Sequence, residues 1–150
     1  MNSDEALIYD DFITEFSNRE ITQVPLESMN GRKIYLRSLS MAEKRRWQSS
    51  MKIIAKQVSN FALRLDSSDA NFLEVWDNNV QNSDDYLIKN SVANSDGTLM
   101  FDSDNKFKEF MSKVKSDSLV CEEIAHKIVK FNKLDKVYDF EEELKKNNES

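Results

Sequence analysis

Apolar residues change their period as the chain proceeds. In "DEALIYDDFITEF", Leu7, Ile8, Phe12 and Phe16 recur at helical spacing with acids on the other side, which predicts a short first helix. The rhythm then shortens. Ile21 and Val24 precede Pro25, while Ile34, Leu36 and Leu39 follow the Asn30-Gly31 dipeptide, a pair suited to the positive φ angles of a tight turn. This predicts a β-hairpin over about residues 21–38, with Pro25 marking an edge or a bulge.

Ser40-Met41-Ala42-Glu43 fits a capping box, in which serine oxygen and glutamate carboxylate satisfy each other's backbone N–H groups. Trp47, Met51, Ile54, Val58, Phe61 and Leu65 then step by four, three, four, three and four, so a long helix over 41–65 carries one continuous apolar face. Lys44, Arg45, Lys52 and Lys56 fall largely on its opposite side. After a break at "DSSDANF", where Ser68 or Asp69 can cap, Leu73, Trp76 and Val80 predict a shorter helix. Ser83 is placed to cap a third, carrying Tyr86, Leu87, Ile88 and Val92. Asp96-Gly97 reads as a turn, with Thr98 to Phe101 extended, and Asp102 or Asp104 as the cap of a helix bearing Phe107, Phe110, Met111 and Val114. A further helix follows "KSDSL" with Val120, Ile124, Ile128 and Phe131 inside, and "DFEEELKK" predicts a last short one.

The fold class implied is mainly α, a compact helical domain with a small N-terminal hairpin. Only two glycines and one proline in 150 residues agree with that, and 39% hydrophobic composition supplies a core. The expected organisation is one domain over residues 1–146 and a frayed tail at 147–150. No apolar run approaches the roughly 18 residues of a membrane span. The acidic N-terminus has no basic region followed by an apolar stretch, and a single cysteine cannot form an internal disulfide, which together point to the cytoplasm.

Net charge is −6, but its distribution matters more. Residues 1–31 hold seven acids and one base, residues 32–64 nine bases and one acid, and residues 65–150 nineteen acids and eleven bases. A basic helix near Trp47 and Tyr35 could follow a phosphate backbone, so a small nucleic-acid-binding regulator using helix 41–65 is one reading. The missing helix-turn-helix pattern and the acidic flanks weigh against it.

Site chemistry is sparse. Aligning Gly97 with the glycine of a calcium loop puts Val92 at position 1 and Ser103 at position 12, and neither can ligate as required there. The single histidine, His126, lies roughly 140° around a helix from Cys121, too far for a local Cys–His pair. Cys121 reads as a buried structural thiol. No clustered zinc ligands and no glycine-rich phosphate loop occur. The expectation is a protein that is not an enzyme and uses neither cofactor nor metal.

The segment "QVPLESMNGRKIYLRSLSMAEKRRW", Gln23 to Trp47, combines proline, hairpin and capping box, with Val24, Pro25, Gly31, Lys33, Ile34, Leu36, Arg37, Leu39, Ser40 and Glu43 in order. "NSDGTLMFDSDNKF" follows with Asp96, Gly97, Phe101, Asp102 and Asp104, and the chain closes with Asn132, Leu134 and Lys146-Asn147. This order resembles the tail assembly chaperones of long-tailed bacteriophages, contractile or non-contractile. Ser28-Met29-Asn30 lengthens the family's hairpin, and Met100 stands where it usually has leucine.

The resemblance implies a chaperone that binds the tape measure protein in the host cytoplasm, keeps it soluble and helps recruit tail tube subunits. Such a protein is absent from the finished virion. It also implies possible self-association and a longer frameshifted product, for which Lys145-Lys146-Asn147 permits an A-rich codon run. The long helix would then offer client contacts through Lys44, Arg45, Trp47, Met51, Lys52, Ile54 and Val58. The competing reading is that its apolar stripe simply fills the core.

Overall fold

A computed structural model describes residues 6, 8–11, 13, 19–63, 70–137, 142, 145 and 146, with the side chains of 57–63, 70–80 and 137 outside that description. Strands β1 (Ile21–Leu26) and β2 (Arg32–Arg37) form the expected antiparallel hairpin, with Val24 opposite Ile34. Their link is longer than a two-residue turn. A 3-10 turn at Glu27–Met29 comes first, and Asn30 and Gly31 then take φ values of 57° and 80°. The Ser38 N–H donates to the Glu20 carbonyl at 2.7 Å, which makes 20/38, 22/36 and 24/34 the hydrogen-bonded pairs. Pro25 therefore sits where an N–H would point to the open side of an edge strand, and no ladder bond is lost.

A third strand, β3 (Val92–Ala93), pairs with β2 through Leu36–Val92 and Tyr35–Ala93. This corrects the placement of Val92 inside a helix. The preceding helix stops because its last residues are held by β2: the Ser91 hydroxyl donates to the Arg37 carbonyl at 2.8 Å, and Arg37 Nε donates to the Asn90 carbonyl at 3.1 Å. Of the expected extended stretch 98–101, only Leu99 forms a bridge, to Ala93. The turn at Asp96-Gly97 is present, with Gly97 at φ 87° and its N–H donating to the Asn94 carbonyl at 3.0 Å.

Helix α1 (Met41–Leu63) starts on the capping box as read from sequence: the Ser40 N–H donates to Glu43 Oε1 at 2.8 Å, and the Glu43 N–H to Ser40 Oγ at 3.2 Å. Helix α2 (Ala70–Ser91) is continuous, where the sequence suggests two helices divided at Ser83. Ser83 caps nothing; it is buried, and its hydroxyl donates to Met51 Sδ of α1 at 3.5 Å. Helix α3 (Asp104–Lys113) is capped by Ser103, whose Oγ accepts from the Lys106 N–H at 3.2 Å, rather than by Asp102 or Asp104. Those two carboxylates instead pair with Lys106 and Lys89, at 3.0 and 3.7 Å. Helix α4 (Val120–Phe131) follows as expected, and a one-turn α5 (Leu134–Val137) begins after Lys133 turns the chain at φ 55°.

Residues 9–11 and 13 of the first predicted helix are helical, as are 142, 145 and 146 of the last. The remaining residues of both, Leu65, and the proposed caps Ser68 and Asp69 lie outside the described residues.

The core joins Leu26 and Leu36 of the hairpin, Leu39, Trp47 of α1, Leu87 and Ile88 of α2, Phe107 of α3, and Val120, Ile124 and Ile128 of α4. Phe101 packs edge-on against Phe107, with ring centroids 5.5 Å apart. Helix α4 is fastened to the hairpin at two points. Near its start, the Glu123 carboxylate accepts from the N–H groups of Glu27 and Ser28 at 2.7 and 2.9 Å and from Ser28 Oγ at 2.6 Å. Just past its end, buried Asn132 accepts from the Leu39 N–H at 2.8 Å and donates to the Ile128 carbonyl at 3.0 Å.

Asn132→Ala leaves the Leu39 N–H buried without a partner, so a loss of about 1–3 kcal/mol is expected in urea unfolding. Hydrogen bonds from Ser28, then from the Glu27 N–H, hold the Glu123 carboxyl below its ordinary pKa. A depressed folded pKa contributes stability above the unfolded value, lost as pH falls through the folded one. Glu123→Gln should therefore lower the urea midpoint at neutral pH and converge on the wild type in acid; parallel curves at all pH values would refute this role.

Candidate functional site

Two faces of α1 have different fates. Trp47, Ile54 and Ala55 are buried, and Met51 packs against the core from its margin. Trp47 and Met51 therefore offer no open contact surface, and Ile54 reaches the surface only as part of the wall of a cleft against α2; the period that made them candidates is the period of core packing. Val58 lies in the helix with its side chain outside the description. Lys44 is half-buried at the edge of the two faces.

The outward face is a basic ridge. Arg45, Ser49, Lys52 and Lys56 are all exposed, and at about 100° per residue they fall within a narrow stripe. Of the expected contacts, Arg45 and Lys52 belong to it. None of Arg45, Lys52 and Lys56 forms an ion pair among the described residues. The one acid of the basic segment, Glu43, is held by the capping box and by Arg19, whose Nη1 lies 3.0 Å from Glu43 Oε1. Nothing on the helix itself is left to neutralise the ridge.

Beside the ridge, α1 and α2 enclose a cleft of about 290 Å³ lined by Arg46, Ser50, Ile53, Ile54, Asn82, Ser83 and Tyr86. The Arg46 guanidinium lies over the Tyr86 ring, 5.9 Å from its centroid. Burial raises the Tyr86 pKa, Glu43 adds to the rise, and Arg46 opposes it. Ile53 stands between ridge and cleft, 59% exposed on a helix side that is otherwise polar. Sequence reasoning passed over Arg46 and Ile53 and read Tyr86 only as part of a helix. The available signal was the Ile53-Ile54 pair, of which the apolar stripe uses only Ile54.

A second cleft, of about 260 Å³, is acidic. Asp84 and Asp85 of α2 meet Cys121 and Glu122 of α4 there, beside Met111 and Lys115. Burial, then Glu122 and Asp85, push the Asp84 carboxyl up to about 6. The half-buried Cys121 thiol donates to Met111 Sδ at 3.8 Å, and burial with the neighbouring carboxylates keeps it protonated. His126 is exposed on another side of α4. Asp96 has a local role: its Oδ1 accepts from Thr98 N–H and Oγ1 at 3.0 and 2.6 Å, and these bonds lower its pKa. Among the described residues, no group of three or more His, Cys, Asp or Glu side chains could hold a metal ion. No helix among them is long and apolar enough to cross a membrane.

A carboxyl whose folded pKa is raised destabilises the fold above that pKa, and the penalty is relieved as pH falls toward the unfolded value. Asp84→Asn should therefore raise the urea midpoint at about pH 8, with the gain vanishing near pH 4. An unchanged midpoint at the higher pH would rule out the strain. Comparisons with protein-family models, curated proteins and solved structures find no match, so the functional reading rests on the chain's own residues.

Proposed function

We propose that this protein is a tail assembly chaperone of a long-tailed bacteriophage. It binds the tape measure protein in the host cytoplasm, keeps it soluble, helps recruit tail tube subunits, and leaves before the virion is complete. The observation that carries the reading is the order of the proline hairpin, the capping box and the Asp-Gly turn along the chain. The exposed basic ridge with Ile53 at its side supports it, because holding a client reversibly calls for an accessible charged surface with limited apolar area. In this reading the chain acts by binding, without a catalytic step or a cofactor. Self-association and a longer frameshifted form belong to the same proposal.

The ridge also supports a second reading, a small regulator that binds nucleic acid. Co-expression with the tape measure protein encoded beside this gene separates the two. A soluble complex that co-purifies in fixed stoichiometry is expected. A client that stays insoluble, together with a salt-sensitive gel shift on DNA or RNA, would replace the chaperone reading with the regulator.

A further inference from the structure

The ridge and the neighbouring cleft form one composite surface. Arg45, Lys52 and Lys56 run along about 16 Å of helix at 1.5 Å per residue. Ile53 and the α1–α2 cleft border that line on one side. We propose that this surface takes an acidic amphipathic helix of the client, with its carboxylates along the ridge and one apolar side chain seated in the cleft against Ile53. The inference deepens the client-binding reading and rests on it.

Three observations select an acidic helix. The first is geometric: a partner helix laid along α1 shares its rise per residue, so three carboxylates separated by seven and then four positions can meet Arg45, Lys52 and Lys56 in register. The second is electrostatic. The ridge cations have no partners among the described residues, and Glu43 is already engaged, so a partner's carboxylates displace no internal pair. The third is the cleft, which adds Ile53 and Ile54 to polar Ser50, Asn82 and Ser83 and suits an aliphatic side chain.

A nucleic acid matches the same surface poorly. Over about 16 Å a duplex presents about ten phosphate charges, far more than three ridge cations can neutralise. The apolar part of the cleft, Ile53 and Ile54, gives a phosphate backbone nothing to bind.

The test uses the full chain and a fluorescent model peptide, a helix with glutamates spaced to match the ridge and leucines on its other face. Anisotropy should show binding that weakens with salt. Arg45→Glu with Lys52→Glu and Lys56→Glu should weaken it by about tenfold or more, because three exposed ion pairs are lost together. A peptide with lysines for glutamates should restore binding to that triple variant, a recovery that misfolding could not produce. Ile53→Ser should weaken binding without altering its salt dependence. A glutamine peptide or a thymidine oligomer that binds as tightly as the acidic helix would overturn the proposal, as would no binding of the acidic peptide. Tighter binding only after truncation of residues 1–18 would identify the chain's own acidic N-terminal segment as the occupant and overturn it too. The client reading fails separately: a tape measure protein left insoluble by the wild type rejects that reading, whereas one that co-purifies equally with wild type and triple variant rejects only this surface.

Discussion

Helix α4 and the residue that caps its end supply a carboxylate and an amide to backbone N–H groups some ninety residues earlier in the chain, and the arrangement of the other elements depends on those bonds. Apolar burial is favourable but non-directional, so burial alone would let the hairpin slide over the helices. Glu123 and Asn132 remove that freedom. They are nine residues apart, about 14 Å along the helix direction, and they hold the hairpin tip and its exit respectively. The consequence passes directly to α1. Asn132 fixes the Leu39 N–H, the next residue is the Ser40 cap, and the cap sets where α1 begins. Which face of α1 looks inward is thereby decided from its first turn.

The charges follow the same frame. Charge along the chain is acidic, basic, acidic, and among the described residues the exposed cations of α1 and the carboxylates of the α2–α4 cleft line different parts of the surface. Glu43 is taken by the cap and Arg19, so the basic ridge has no counterion within its own segment. Across α2, burial and then the neighbouring Glu122 and Asp85 raise the Asp84 pKa. A chain selected only for stability would mix such charges, since like charges in proximity repel. On the proposed client reading, the separation leaves one surface for an acidic partner and another that repels it.

Much of this architecture was legible in the sequence where the cause was local. The Asn30-Gly31 turn, the Ser40–Glu43 box and the stripe through Trp47 and Ile54 each involve residues a few positions apart, and each is found. The errors fall where a distant contact overrides a local preference. Ser83 looks like a cap until α1 supplies Met51 for its hydroxyl, and α2 runs on through it. Val92 continues a helical period, yet β2 captures it as a strand. At α3 the competition was local, and Ser103 holds the cap while both aspartates pair with lysines. Glu123 gives no local signal, and Asn132 entered only through the order of motifs, because their partners lie some ninety residues earlier, at the hairpin tip and just past its end.

The candidate surface was half legible for a related reason. A periodic apolar stripe signals burial, and residues chosen from it as partner contacts are those the fold needs for itself. Once Trp47, Met51 and Ile54 face the core, α1 has only its polar side to offer. Any recognition through this helix is then mainly electrostatic, with Met41 and Ile53 as the large apolar residues exposed among its described side chains. Such a surface binds quickly and weakly, and its affinity falls as salt rises. The proposed chaperone role, holding a client and then giving way to polymerising subunits, would call for that combination, because a wide apolar face would hold on too long.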